Sequence, residues 1–400
     1  MTPAPGTAVV VGAGISGLAT AQRLAHHGWQ VHVLEHAPGP RPQGYMIDFF
    51  GPGHEAAQAM GILPRIRELG HAFARADLVD THGRARASLR FDRFAHALGG
   101  SVVSLLRPDL ERALRESLPD HADLRYGCGP RAITEEPDGV RLHLPDGHTL
   151  HADLLVGADG IHSTVRRLLF GPQERYLHPL GFHTGAYTFT DARIHALTRG
   201  RFCLTDALGA QMGLYALGQD RVAAFTVHRT PETNLPQDPR DQLRRTYAHL
   251  GWAIPRALEL CPPPEEVYYD LVAQIRMDHW SRGRTVLVGD ACQAVSLLAG
   301  QGASLAVGGA YVLGEELARA DNIPQALHNY EQRWRPVAQE RQRAARTGAQ
   351  WFLPSTPARL RLRRLALKLS ALPGVDRMVA TTLSGRPTRA IQDLAPESTG

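Results

Sequence analysis

The chain has 400 residues and carries a formal charge of +5, with no Ser/Gly linker, internal repeat or low-complexity block. That is enough chain for two lobes sharing a large buried core. The charge is too small and too dispersed for a nucleic-acid binder.

Lys368 is the one lysine among 44 cations, so nearly every cation is Arg. A GC-rich genome writes Arg for Lys, and a planar guanidinium also grips phosphate bidentately; both readings stand. Cys128, Cys203, Cys261 and Cys292 lie far apart, without metal-ligand or redox-pair spacing. They read as packing thiols of a reduced compartment. The histidines likewise lack ligand spacing, so no metal site is expected. The first apolar run begins at Ala8 without a basic stretch before it, and no run reaches about 18 apolar residues. These features predict a cytoplasmic protein with no transmembrane segment.

In chain order, residues 8–11 predict a strand. Gly12-Ala13-Gly14-Ile15-Ser16-Gly17 follows, then a helix through about residue 25, a stop near Gly28, and a strand over 30–35 ending in Glu35. Gly12 permits the tight turn, Gly14 lets the backbone approach a pyrophosphate, and Gly17 lets the helix pack closely. Ala13 and Ser16 lie in the same loop, where the helix start offers free N–H groups to phosphate. Glu35 is placed to accept hydrogen bonds from a ribose diol. The pattern marks a dinucleotide site without separating FAD from NAD.

Residues 149–156 read as a strand pair leading into Gly157-Ala158-Asp159-Gly160, after which Ser163 caps a helix. Taken alone, Asp159-Gly160 is equally a plain turn. Between 174 and 280 the pattern alternates and is rich in Tyr, Phe, Val and Thr, which predicts an antiparallel sheet with a short helix over 241–251. A last apolar strand over 284–288 runs into Gly289-Asp290-Ala291-Cys292. Gly300-Gln301-Gly302-Ala303-Ser304 then opens a long amphipathic helix to about residue 319. An Asp at a strand end beside a Gly-rich helix start suits a polyol-phosphate chain. N–H groups at Gly302 and Ala303 suit the negative charge of a reduced flavin, a need NAD does not share. Residues 335–346 predict a charged helix. The Arg- and Leu-rich stretch 359–372 predicts either a helix closing the two lobes or a basic amphipathic helix on an anionic membrane.

With these three motifs in this order, the chain resembles the group A FAD-dependent aromatic monooxygenases of the para-hydroxybenzoate hydroxylase fold, which include tetracycline-inactivating and polyketide hydroxylases. The resemblance covers residues from about 7 to 345. It implies an α/β architecture: a Rossmann-type FAD-binding domain interleaved with an antiparallel-sheet substrate domain, and C-terminal helices. The expected division is 1–173 for the FAD domain with inserted strands, 174–280 for the substrate domain, 281–345 for the return to the FAD domain, and 346–400 for a helical tail. Through the resemblance, Arg107 becomes an FAD contact and Gly44, in the stretch 41–48, a close backbone approach at the flavin edge. Arg41 becomes a candidate for NADPH or NADH. Tyr187, Phe189, Gln211 and Tyr215 become candidate substrate-cavity residues, with plain sheet packing as the competing account of each.

The implied reaction is reduction of FAD by NADPH or NADH, then formation of a C4a-hydroperoxyflavin that hydroxylates an aromatic or polyketide-like small molecule. No acid–base residue stands out, and the implied assembly is a monomer or homodimer. Gln293, Leu297, Ser304 and Gly309 stand where the family usually has His, Pro, Asn and Asp. These departures keep open a reductase or dehydrogenase of the same fold, or a non-catalytic FAD-binding partner. Gly308-Gly309 inside a helix costs roughly 1 kcal/mol per Gly relative to Ala, which a close backbone neighbour would explain.

Overall fold

In the computed structural model, residues 5–41, 44–97, 102–296, 300–369 and 388–394 are described. Pro42, Gln43, Leu297 and the 370–372 end of the predicted tail helix fall outside them.

At the centre of the sheet, the uninterrupted apolar runs 8–11, 154–156 and 286–288 make strands that must be covered on both faces. Accordingly Thr7–Val11, Gln30–Glu35, Asp123–Tyr126, Leu154–Gly157 and Thr285–Leu287 form a parallel sheet, with Ser281–Arg282 added antiparallel at one edge. The strand Thr7–Val11 lies at its centre, between Gln30–Glu35 and Leu154–Gly157. The helices Ile15–His26 and Gly302–Arg319 join this sheet in the largest apolar core, where Val9, Val10, Leu18, Leu155, Val307 and Leu313 are fully buried.

The second layer is a seven-stranded sheet. Its order is Tyr268–Ile275, Leu177–Thr190, Arg221–Arg229, Ala210–Ala216, Arg201–Thr205, Arg75–Val79, Ala85–Arg90. The last two strands come from the chain's first quarter, outside the 174–280 span in which the sheet was expected. Between the layers, Met46–Phe49 pairs with Val103–Leu106. The helix Ile323–Phe352 contributes Tyr330 and Trp334 to the main core and Phe352 to the sheet's inner side.

Strand parity settles which side chains can look toward the first layer. Ala186 pairs with Phe225 and Tyr268, and Gly213 with Phe225, so these positions share the inner face. Tyr187 and Phe189 point the opposite way. They pack with Leu214, Leu243, Tyr247 and Ile254 in a separate core, and the Tyr187 hydroxyl donates to the Ala257 carbonyl at 2.9 Å. They are corrected to packing residues, because their parity puts a whole sheet between them and the first layer.

Candidate functional site

The carboxyl ends of the parallel strands open into a cleft of about 720 Å³, where open α/β sheets generally bind ligands. Of the residues singled out in the sequence, Gly12, Ala13, Gly14, Ser16, Glu35, Arg41, Arg107, Asp159, Asp290, Gly300, Gly302 and Ala303 all line it. Three stretches of chain more than a hundred residues apart therefore meet around one space.

Gly12 has φ +107°, and a Cβ there would lie 2.5 Å from the Ala158 carbonyl oxygen, so the turn requires glycine. At Gly17 a Cβ would lie 1.8 Å from the Gly12 carbonyl oxygen; this glycine locks the helix against the turn and does not face the cleft. Gly14 differs from both. A Cβ there would meet only Glu111 Oε1 at 3.6 Å and Arg107 Nη2 at 3.7 Å, in space that belongs to the cleft. The helices beginning at Ile15 and Gly302 have no side-chain cap, and both begin at the cleft. By contrast, the helix Thr164–Leu169 is capped twice. Ser163 Oγ accepts from Arg166 N at 2.9 Å, and Asp159 Oδ2 accepts from Thr164 N and Val165 N at 2.6 and 3.0 Å. Much of the Asp159 carboxylate is thus committed to its own helix.

Glu35 Oε2 accepts from Ala13 N and Oε1 from Ala37 N, both at 2.8 Å. These bonds fix the carboxylate at the cleft wall. Arg41 sits on the rim, exposed, 3.6 Å from Glu35. Arg107 pairs with Glu111 at 2.8 Å; burial pushes the Glu111 carboxyl up in spite of that cation. Gly44 backs onto Pro108 and Arg107, with Pro108 Cδ 2.6 Å from the position of an added Cβ. It lets the chain pass close to the Arg107 turn and is not part of the cleft lining. Asp290 is ringed by protein, yet its carboxylate remains open to the cleft. Burial raises its pKa, and Arg107 opposes that rise.

One link joins the second and third motifs. The fully buried Arg166 donates to the Ile161 carbonyl at 2.6 Å and to the Ala291 carbonyl at 2.7 Å.

Several cleft residues were not foreseen. Tyr45, Tyr126, Arg131, His162, Tyr268 and Asp270 line it. Burial lifts the Tyr45 phenol to about 12, so it stays a neutral hydrogen-bond donor. The His162 imidazole is raised, first by its 3.4 Å contact with Asp270. Glu111 was legible as the i+4 partner of Arg107 on a helix. Tyr268 and Asp270 required the sheet's parity, which their sequence does not disclose.

Tyr215 and Gln211 occupy the inner sheet face but do not line the cleft. The Tyr215 hydroxyl accepts from Met46 N at 2.8 Å and so anchors the strand beside Tyr45. Gln211 is fully buried, and its amide has no hydrogen-bond partner among the described residues. From the cleft, an aromatic series runs Tyr268–Tyr45–Phe225–Phe352, with centroids 5.5, 6.4 and 6.4 Å apart.

The Gly308-Gly309 pair also has its cause. A Cβ would stand 2.7 Å from Trp334 Cη2 at Gly308 and 2.6 Å from Trp334 Nε1 at Gly309. The close neighbour is an indole side chain, where a backbone was expected. Gln293 Nε2 lies 3.3 Å from the same Gly309 position, and Ser304 Oγ accepts from Phe50 N at 3.2 Å. Among the described residues, no group of three or more His, Cys, Asp or Glu could hold a metal ion, and no helix is long and apolar enough to cross a membrane.

The family described as FAD binding domain matches residues 6–345. An uncharacterised protein of Mycobacterium tuberculosis (strain CDC 1551 / Oshkosh) is 34% identical over 337 residues, covering 81% of this chain and 88% of the relative. A flavin-dependent monooxygenase from an unknown prokaryotic organism is 29% identical over 360 residues, 87% and 91% of the two chains. The crystal structure of the tetracycline destructase Tet(55) superposes with a TM-score of 0.81 at 26% identity, covering 96% of this chain and 98% of that one.

Proposed function

Because this chain belongs to the FAD-binding-domain family of flavin-dependent aromatic monooxygenases, we propose that it uses NADPH or NADH and dioxygen to hydroxylate an electron-rich ring of an aromatic or polyketide-like small molecule. The observation that carries this reading is the cleft in which Glu35, Asp159 and Asp290 meet. Its residues fit FAD. Gly14 leaves open the space a side chain would fill, two uncapped helix starts face the same volume, and a carboxylate stands open at its floor.

When bound, FAD supplies acceptance of a hydride and activation of dioxygen. The chain supplies the rest. Glu35 accepts from a ribose diol, and Asp290 from the hydroxyls of the ribityl chain. The N–H groups after Gly14 and the dipole of the first helix stabilise the pyrophosphate. The start of the Gly302–Arg319 helix, with Gly302 and Ala303 on the cleft wall, would favour negative charge on a flavin ring held there. Arg107 keeps positive charge near the Asp290 carboxylate, and the Tyr45 phenol donates a hydrogen bond without ionising at working pH. Phe225 and Phe352, packed behind Tyr45, exclude water from that side of the cleft, and the cleft-lining rings of Tyr45 and Tyr268 suit an aromatic substrate. Arg41, on the rim, serves the nicotinamide cofactor.

The test is turnover of the purified protein against a panel of phenols and polycyclic aromatics. NAD(P)H oxidation rises with the right ring, and heavy-isotope dioxygen labels the product. Substrate-dependent NAD(P)H oxidation with an unlabelled product would favour a reductase of the same fold; no turnover with any ring would favour a non-catalytic FAD-binding partner. Asp290→Ala yields colourless protein. Glu35→Ala weakens flavin binding by only about 1–3 kcal/mol, one hydrogen-bonded contact to a charged group. Full flavin occupancy in Asp290→Ala sinks the placement of the ribityl chain.

A further inference from the structure

The helix Pro357–Leu369 buries one arginine against the protein and leaves two leucines on its outer face. Leu360 and Arg363 face the protein, 9% and 3% exposed, whereas Leu362 and Leu365 are 56% and 53% exposed, the most exposed large apolar side chains among the described residues. An ion pair fixes this orientation. Arg363 Nη2 donates to Asp206 Oδ1 at 2.8 Å, Arg364 Nε binds the other oxygen, and the Asp206 side chain is fully buried. Arg363 Nη1 also donates to the Phe352 carbonyl at 2.5 Å. Rolling the helix to hide its leucines would leave a buried carboxylate unpaired, which is the costlier arrangement.

The exposed stripe has basic flanks. Ala358, Leu362 and Leu365 recur at helical spacing, as does Leu369 by sequence position, with Arg359 and Arg361 exposed on either side. The helix holds five cations (Arg359, Arg361, Arg363, Arg364 and Lys368) and no acid, as much as the whole chain's excess of +5. Leu208, 42% exposed, lies in the turn after Asp206, where Gly209 N donates to the Pro354 carbonyl.

We propose that this face docks on an anionic lipid bilayer. Leu362 and Leu365 enter the boundary between headgroups and acyl chains, while Arg359 and Arg361 extend along their stems to lipid phosphates. The charge argues against other occupants. A second copy would set one five-cation helix against another. Residues 370–387 carry Asp376 against Arg377 and Arg386, so they bring no negative excess. Two leucines and a basic flank give reversible, salt-sensitive binding, weaker than a lipid anchor. The proposal does not depend on the flavin reading.

The test is flotation of the full-length holoprotein with vesicles of phosphatidylcholine alone, or of phosphatidylcholine and phosphatidylglycerol in equal parts. Protein floats with the anionic vesicles only, and raised salt releases it. The double substitution Leu362→Gln, Leu365→Gln lowers the bound fraction about tenfold or more, while flavin content and melting temperature stay unchanged. Arg361→Glu has the same direction of effect. No flotation with anionic vesicles, equal flotation with neutral ones, or full flotation of the double variant would each overturn the proposal. A concentration-dependent dimer abolished by the double variant would assign the face to a second copy instead.

Discussion

Burial pulls the His228 imidazole down to about 4, and the neighbouring His183 adds to the effect. The ring is 5% exposed, Nδ1 lies 2.9 Å from the Tyr247 hydroxyl, and His183 meets it edge-on at 5.5 Å. In an unfolded chain a histidine titrates near 6.5. Between about 6.5 and 4 the unfolded state therefore binds a proton that the folded state refuses, and stability falls as pH falls through that window. The slope is at most ~1.4 kcal/mol per pH unit, about 3 kcal/mol over the window. His228→Gln keeps a polar partner for Tyr247 and cannot titrate. Urea melts at a series of pH values are expected to show less acid lability between 6.5 and 4 in this variant. An identical pH profile would mean that His228 is protonated without cost. Nothing in residues 222–228 announces this behaviour. Alternation shows that His228 opposes Val227 across the strand, but the burial comes from the helix Pro239–Tyr247 packed on that side.

At the scale of elements, the glycine fingerprint, the acid ending the second strand and both later Gly-Asp turns were legible because each is local: a turn angle, a close approach, an exposed helix start. Faces of the large sheet were not. Tyr187, Phe189, Gln211 and Tyr215 carry the same alternating signal, and only the pairing registers separate the outer pair from the inner pair. The strands Arg75–Val79 and Ala85–Arg90 were missed for a related reason. They complete a sheet whose other strands follow about a hundred residues later. The Gly308-Gly309 pair shows long-range packing written into a helix. Trp334, fully buried on the next helix, lies where both Cβ atoms would be. Gly309→Ala should cost about 1–3 kcal/mol by overpacking. In a Trp334→Leu background, itself about 3 kcal/mol or more less stable, the sign should reverse, because alanine is the better helix former by up to ~1 kcal/mol. Thermal melts of the four proteins in the cycle measure this coupling. Additive effects would mean that the indole does not dictate the glycine.

For the molecule as a whole, the question is what keeps three separated motifs in register. Arg166 is the best-placed link. It stands on the helix that Asp159 caps, and its guanidinium spans the carbonyls of Ile161 and Ala291, the latter directly after Asp290. It does not line the cleft, so it acts on any ligand only through the positions of the two carboxylate turns. Arg166→Met strands two carbonyls, each at about 1–3 kcal/mol, and frees the Asp290 turn from the Asp159 turn. Lysine does not restore the bridge, because a single ammonium lacks the fork that reaches both carbonyls. Flavin affinity is expected to fall at least about tenfold in both variants, beyond what lost stability alone produces. Leu243→Ala is the control, because it removes about 2–5 kcal/mol of stability in the separate core on the outer side of the large sheet, remote from both turns. Flavin titration by fluorescence quenching, at a temperature where every variant is folded, separates the two effects. Wild-type flavin affinity in Arg166→Met would show that the motifs hold their positions through the parallel sheet alone.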